Sequence, residues 1–181
     1  MKVIVPLAEG FEEIEFNAIV DILRRAGIAV TVAGLTEGVI EGGHGIRVIS
    51  DTSIDKINAA EFDAIALPGG APGYVNLGKD ARVLKLVEAM HQAGKYVTAI
   101  CGAPTVLAKA GILKGRQVTC HPNVREMLAG ARCVNERVVV DGRIITSQGP
   151  GTAIEFALKL AEALAGKDVA AKVSEAALVK R

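Results

Sequence analysis

Tryptophan is absent from this 181-residue chain, and aromatic residues make up only 3% of it. A core of stacked rings is excluded. Half of the residues are apolar, so the interior has to be built from Val, Ile, Leu and Ala. Neither sign of charge is in excess: 21 Lys and Arg stand against 20 Asp and Glu, a net charge of +1. Such a surface has no field with which to hold a polyanion, which argues against a nucleic-acid partner. Long hydrophobic runs are missing too. The most apolar stretch, Val97 to Ala108, spans 12 residues and contains Gly102 and Pro104, whereas a membrane helix needs about 20. Cysteine is scarce. Cys101, Cys120 and Cys133 are odd in number and show no CxxC spacing, so free thiols in a reducing compartment are expected, with no disulfide framework and no metal site. The opening MKVIVPLAEG carries too short an apolar run for a secretory signal, and Glu9, Glu12 and Glu13 follow at once. A cytoplasmic protein of one domain, residues 1–181, is the expectation.

What is present is an alternation of strand and helix. Lys2 to Leu7 reads as a strand buried on both faces. From Glu12 to Ala26 the apolar residues Phe16, Ile19, Val20, Ile22 and Leu23 recur with helical period, Ile14 is assigned to the core face with them, and Gly27 sits where a C-terminal cap belongs. Ile28 to Ala33 completes a βαβ unit. Gly34 to Asp51 breaks the rhythm and predicts a β-hairpin, Val39–Ile40 and Ile46 to Ile49, turning through the glycines around His44. Strands follow at Ala64 to Leu67, Tyr96 to Ile100 and Val118 to Cys120. A hairpin over Arg137–Val140 and Ile144–Thr146 turns at Asp141-Gly142. Helices are predicted over Ala81–Ala93, from Pro104 to about Ala110, over Thr152–Ala165 and over Asp168–Val179. Repeated βα units imply a mostly parallel twisted sheet with helices on both faces.

In such sheets ligands bind at the carboxyl ends of the strands. Four segments fall there: Gly10-Phe11-Glu12-Glu13-Ile14-Glu15, Pro68-Gly69-Gly70, Cys101-Gly102 and Cys120-His121-Pro122. Cys101 stands among small residues at a strand-to-helix junction, the pattern of a nucleophile elbow, and the helix start beyond it favours thiolate. A buried structural thiol is the plain alternative. Glu15 is either a dipole-complementing acid or, if desolvated, a carboxylic acid that keeps its proton at neutral pH and exchanges it with the sulfur. Glu12 and Glu13 read as dipole-complementing only. Gly69-Gly70 and Gly102 offer backbone N–H groups to an oxyanion, although a tight turn explains Gly-Gly equally well. His121 is a candidate to orient or deprotonate a thiol. His44 has no evident partner, and Cys120 is expected to pack inward.

Together and in order, these segments resemble the ThiJ/PfpI superfamily, in its branch of parkinsonism-associated protein deglycase-like proteins. Arg24-Arg25-Ala26-Gly27-Ile28, Leu67-Pro68-Gly69-Gly70, Ala99-Ile100-Cys101, His121-Pro122 and Ser147-Gln148-Gly149-Pro150-Gly151-Thr152 extend the resemblance nearly end to end. It implies a flavodoxin-like α/β sandwich and a homodimer formed near the first helix and the hairpin, with Arg25 and His44 towards the partner. It also implies that Cys101 is an oxidation-sensitive nucleophile, Glu15 its protonated partner, His121 the nearby histidine, and Gly70 and Gly102 the oxyanion amides. Gly102 stands where the intracellular-protease branch carries His, which weakens a peptidase reading. The function implied is a glyoxalase or protein deglycase acting on methylglyoxal, glyoxal or their protein adducts, with neither metal nor glutathione as cofactor. An oxidative-stress sensor or chaperone is the alternative, and a cysteine peptidase a more distant one.

Overall fold

Strand β1, Lys2–Leu7, is an apolar run with both faces covered. It lies at the centre of the computed structural model, which describes residues 1–179. Helix α1, Glu13–Arg25, returns the chain to β2, Ala29–Gly34, which pairs parallel with β1 in register Val3↔Val30. The hairpin follows as β3, Val39–Glu41, and β4, Arg47–Ile49, an antiparallel pair separate from the main sheet. After β5, Thr52–Ser53, the chain crosses to the other side of β1 as β6, Ala64–Leu67. Helices α2, Gly73–Leu77, and α3, Ala81–Gln92, lead to β7, Tyr96–Ile100, and then to α4, Pro104–Lys109. Two short strands, β8, Gln117–Val118, and β9, Arg132–Cys133, form a parallel pair of their own. The hairpin β10, Val138–Asp141, and β11, Ile144–Ser147, returns to the main sheet; α5, Ala153–Ala165, and α6, Lys167–Ala176, complete the chain.

The main sheet runs β10-β11-β7-β6-β1-β2-β5, parallel except for β10. This is the flavodoxin-like α/β arrangement. Side chains alternate across a strand, so the sheet has two aliphatic faces. Val3, Val5, Leu7, Ala64 and Ala66 pack against α1, α5 and α6, whereas Ile4, Ile65, Leu67, Val97 and Ala99 pack against α3 and α4. The chain reverses direction in the sheet between β1 and β6, and the loops leaving those strands open a crevice at their carboxyl ends. No helix among the described residues is long and apolar enough to cross a membrane.

Three expectations are corrected. Val118 to Cys120 does not extend the main sheet: β8 ends at Val118 and pairs with β9. The Thr119 N–H instead bonds the Thr146 hydroxyl, 2.9 Å away, beside the sheet edge. Ile14 does not face the core. It is 59% exposed while Glu15 is fully buried, because residues 16, 19, 20 and 23 set the helix face and position 14 lies about 200° around from 16. His44 does have a partner. Its ring Nδ1 lies 2.8 Å from Glu13 Oε2, and its backbone N–H donates to Glu13 Oε1.

That pair tethers the hairpin to α1. Burial pushes the Glu13 carboxyl up, but the bonds from His44 overcome this and hold it below 4.5. His44 is raised above 6.5, chiefly by its hydrogen bond to Glu13. A lowered acid stabilises the fold above its unfolded pKa, and a raised base does so below its own. The contribution is therefore complete between 4.5 and 6.5. It fades as acid reaches Glu13 and as alkali reaches His44. Replacing His44 with Ala should lower urea stability most inside that window and least well above it; an equal loss at all pH values would count against the pairing.

Candidate active site

The helix that delivers Glu15 begins with three interlocking devices. Glu12 is the N-cap, and its side chain accepts the Glu15 N–H, 2.7 Å away. Phe11 before the cap meets Phe16 one turn on, ring centroids 5.1 Å apart at 63°, a hydrophobic staple that sets the entry angle. A glutamate at Glu15's position usually bonds back to the cap's own N–H. Here the Glu12 N–H donates instead to the Gly69 carbonyl, 3.0 Å away. The Glu15 carboxyl is thereby free to reach across the crevice, where Oε2 accepts the Gly69 N–H, 2.7 Å away.

Cys101 arrives from the other side. Its N–H donates to the Ser147 carbonyl at 3.0 Å and its carbonyl accepts the His121 N–H at 2.9 Å. Between these bonds the backbone takes φ +64, the left-handed region that costs an ordinary residue about 1–2 kcal/mol. The half-buried side chain is thrown out over the end of β7. The Gly70 and Gly102 N–H groups act on the sulfur and pull the thiol's pKa down.

Glycine at 69 lets the two side chains meet. A Cβ there would lie 2.7 Å from Cys101 Cβ and 2.8 Å from Glu15 Oε2. Gly70, at φ +89, passes so close to the start of α1 that a Cβ would stand 2.2 Å from the Glu12 nitrogen. Beyond Gly102 lies the Tyr74 ring, which a Cβ on residue 102 would strike at 2.5 Å. Tyr74 is the residue of this site that the sequence did not single out, whereas Gly69, read with Gly70 as an oxyanion donor, gives its N–H to Glu15 instead. The Pro-Gly-Gly run after an apolar strand was the visible signal for Gly69, although it reads equally as a turn. Tyr74 carried none.

The electrostatics centre on Glu15. Burial pushes its carboxyl up to about 7, against the pull of the Gly69 N–H, and nearby Glu12 adds to the rise. Its Oε1 is buried with no formal hydrogen-bond partner among the described residues; the group the carboxyl meets is the Cys101 thiol. An orphaned, desolvated carboxylate oxygen is costly, and a proton on it removes the cost. Burial, and then the charge and hydrogen bond of ionised Glu15, push the thiol up to about 12, while the two glycine amides pull it down. The helix start does not make Cys101 a free thiolate, as was expected, because burial outweighs it. The pair instead titrates as one unit. Above about 7 it holds one proton and one negative charge. The nucleophilic form is the arrangement with that proton on Glu15.

His121 lies apart from this exchange. Its ring Nδ1 accepts the Asn123 N–H, 3.3 Å away, which places the proton of a neutral ring on Nε2. Among the described residues the ring makes no hydrogen bond with Cys101. Ligand atoms of Glu12, Glu13 and His44 lie within 4.8 Å of one another, but Glu12 Oε2 and both Glu13 oxygens already accept N–H groups or pair with the His44 ring.

Known proteins resemble this chain over nearly its whole length. The chain is 43% identical over 179 residues to Protein dj-1beta of Drosophila melanogaster, covering 97% of this chain and 96% of the relative. The crystal structure of that fly protein superposes with a TM-score of 0.96 over 99% of this chain and 98% of its own. A Caenorhabditis elegans protein named glutathione-independent glyoxalase DJR-1.2 is 38% identical over 162 residues, covering 88% of this chain and 86% of its own. The model of the DJ-1/PfpI family matches residues 1–163, and the chain belongs to that family.

Proposed function

We propose that the protein is a cofactor-independent glyoxalase that converts methylglyoxal or glyoxal to the corresponding hydroxy acid. The observation that carries this reading is the Glu15 carboxyl, held by Gly69 through one oxygen and turned towards the Cys101 sulfur with the other unpaired. Transfer of the shared proton to Glu15 frees the sulfur to attack the aldehyde carbon. A C–S bond forms, and the carbonyl oxygen takes the negative charge between the Gly70 and Gly102 N–H groups, then the proton. Glu15, again ionised, removes the hydrogen from the new hemithioacetal carbon and returns it to the neighbouring carbonyl carbon, while the hemithioacetal hydroxyl proton passes to that carbonyl's oxygen. The product is a thioester of the hydroxy acid, which water cleaves. One oxidation and one reduction occur on adjacent carbons, so the reaction needs no external oxidant, metal or glutathione. His121 enters as a positioning residue through its backbone bond to Cys101. The C. elegans relative's name supports the substrate class.

The same attack on a carbonyl adduct of a protein side chain gives the deglycase activity. Ile14, Ile46 and Ile49, 59%, 52% and 75% exposed on α1 and the hairpin, support a homodimer joined there. We infer also that residues 1–181 act as one cytoplasmic domain. A second reading is favoured by the same donors: two N–H groups and a carboxylic acid around one sulfur also suit a sulfinate, the oxidised form a stress sensor would carry. Incubating the purified protein with methylglyoxal and assaying lactate separates the two. Lactate above that made by Cys101→Ala is expected; equal amounts from both would overturn the enzyme reading.

A further inference from the structure

Two thiols that the chemistry at Cys101 does not use lie together beyond His121. In the β8–β9 pair, Val118 stands beside Cys133, and the Val134 N–H donates to the Val118 carbonyl at 2.9 Å. Partners across a ladder share a face, and Cys120 lies two residues beyond Val118, past the end of β8. Cys120 is fully buried, and half-buried Cys133 packs against the same aliphatic cluster. Cys133 is among the groups that raise Cys120, so ionisation of one thiol acts on the other.

Arg125, on the 3-10 turn after His121, supplies a cation to them. Its charge favours ionisation of Cys120. Its Nε is buried and has no hydrogen-bond partner among the described residues. A buried donor left unpaired costs about 1–3 kcal/mol, and an anion formed beside it would relieve that cost. Among the described residues no basic group plays this part at Cys101, on which a carboxyl group and two amides act.

We propose that Cys120 and Cys133 form a second redox centre, a dithiol that hydroperoxides close to a disulfide and whose buried thiolate Arg125 stabilises. Burial pushes Cys120 up to about 11, so the half-exposed Cys133 is the sulfur that peroxide meets first. Its thiolate attacks the O–O bond; an S–O bond forms, the O–O bond breaks, and the departing oxygen leaves as water. Cys120 gives up its proton and attacks the sulfenic sulfur; an S–S bond forms, and the S–O bond breaks to release a second water. Two thiols and one hydrogen peroxide become one disulfide and two waters, with two electrons passing from sulfur to oxygen. Cys133 is only half-buried, and a disulfide open to solvent exchanges with an added thiol; the couple is therefore a reversible one.

The test uses the full-length chain, both wild type and Cys101→Ala, treated with equimolar hydrogen peroxide and quenched with iodoacetamide. Intact mass and unreduced peptide maps are then read. The expected result in both proteins is loss of two hydrogens, a cross-linked peptide joining Cys120 to Cys133, and full reversal by dithiothreitol. Oxygen added to Cys133 with Cys120 still alkylated, or both thiols alkylated, would overturn the proposal. In Arg125→Gln, dimedone should trap the Cys133 sulfenic acid at an unchanged rate, while closure slows about tenfold, the kinetic equivalent of one charge-assisted hydrogen bond. An unchanged closing rate would overturn the part given to Arg125.

Discussion

Glu15→Gln is expected to leave the protein more stable and nearly inactive. The folded carboxyl sits near 7 against an ordinary value of 4.5, so between those limits the folded state holds more protons than the unfolded one. Stability is then complete below 4.5, falls as pH rises towards 7, and stays low above. The shift corresponds to roughly 3 kcal/mol. Glutamine can accept the Gly69 N–H as Glu15 does, yet carries no charge to desolvate. At pH 8 its melting temperature should exceed that of the wild type by roughly 5–10 °C, and at pH 4 the two should converge. Lactate formation should fall roughly 10²- to 10⁴-fold, the usual loss with a general acid–base group. Alkylation of Cys101 separates this from a merely structural effect. In the wild type its rate should inflect near 7, where the pair loses its first proton. In the variant burial acts against the two glycine amides and outweighs them, and the inflection should move above 9.0, the ordinary thiol value. A variant that melts lower at pH 8, or an inflection that stays put, would refute the shared proton.

Gly69→Ala should separate the reacting pair without unfolding the chain. The added methyl would meet Cys101 Cβ at 2.7 Å and Glu15 Oε2 at 2.8 Å, and the Ile100 carbonyl at 3.1 Å. Gly69 needs no left-handed backbone, so the cost is overpacking alone, about 1–3 kcal/mol. Relief comes by pushing Glu15 off the Gly69 N–H or Cys101 off its bend. Misplacement by about 1 Å costs roughly 10² in rate, so kcat should drop by at least that factor while the far-ultraviolet circular dichroism is unchanged. Full activity in this variant would show that contact between residues 15 and 101 is dispensable.

The parts of this molecule legible in its sequence are those governed by local pattern. β1 runs over the predicted residues because an apolar run bounded by polar neighbours has one reading. The elbow showed itself because small residues flanked Cys101, and φ +64 is the backbone they accommodate. At the first turn of α1 two signals compete: Ile14 scores as core by hydrophobicity, yet the stripe of residues 16, 19, 20 and 23 puts position 14 outside, and the Gly69 N–H holds the Glu15 carboxyl inside. The His44–Glu13 pair joins residues 31 apart in sequence and exists only once the hairpin folds over α1. The direction of the Cys101 shift was misjudged for a related reason. A helix start is visible in sequence, whereas the burial that outweighs it is a property of the assembled loops.

The left-handed bend at residue 101 restricts which atoms can ever react there. A side chain forked at its β-carbon crowds against its own backbone in that conformation, so threonine is barred and serine is the one hydroxyl substitute that fits. Glycine would adopt the bend with no penalty. Architecture by itself would prefer an empty position, so a sulfur held there in spite of the backbone accords with the reactive role proposed for it.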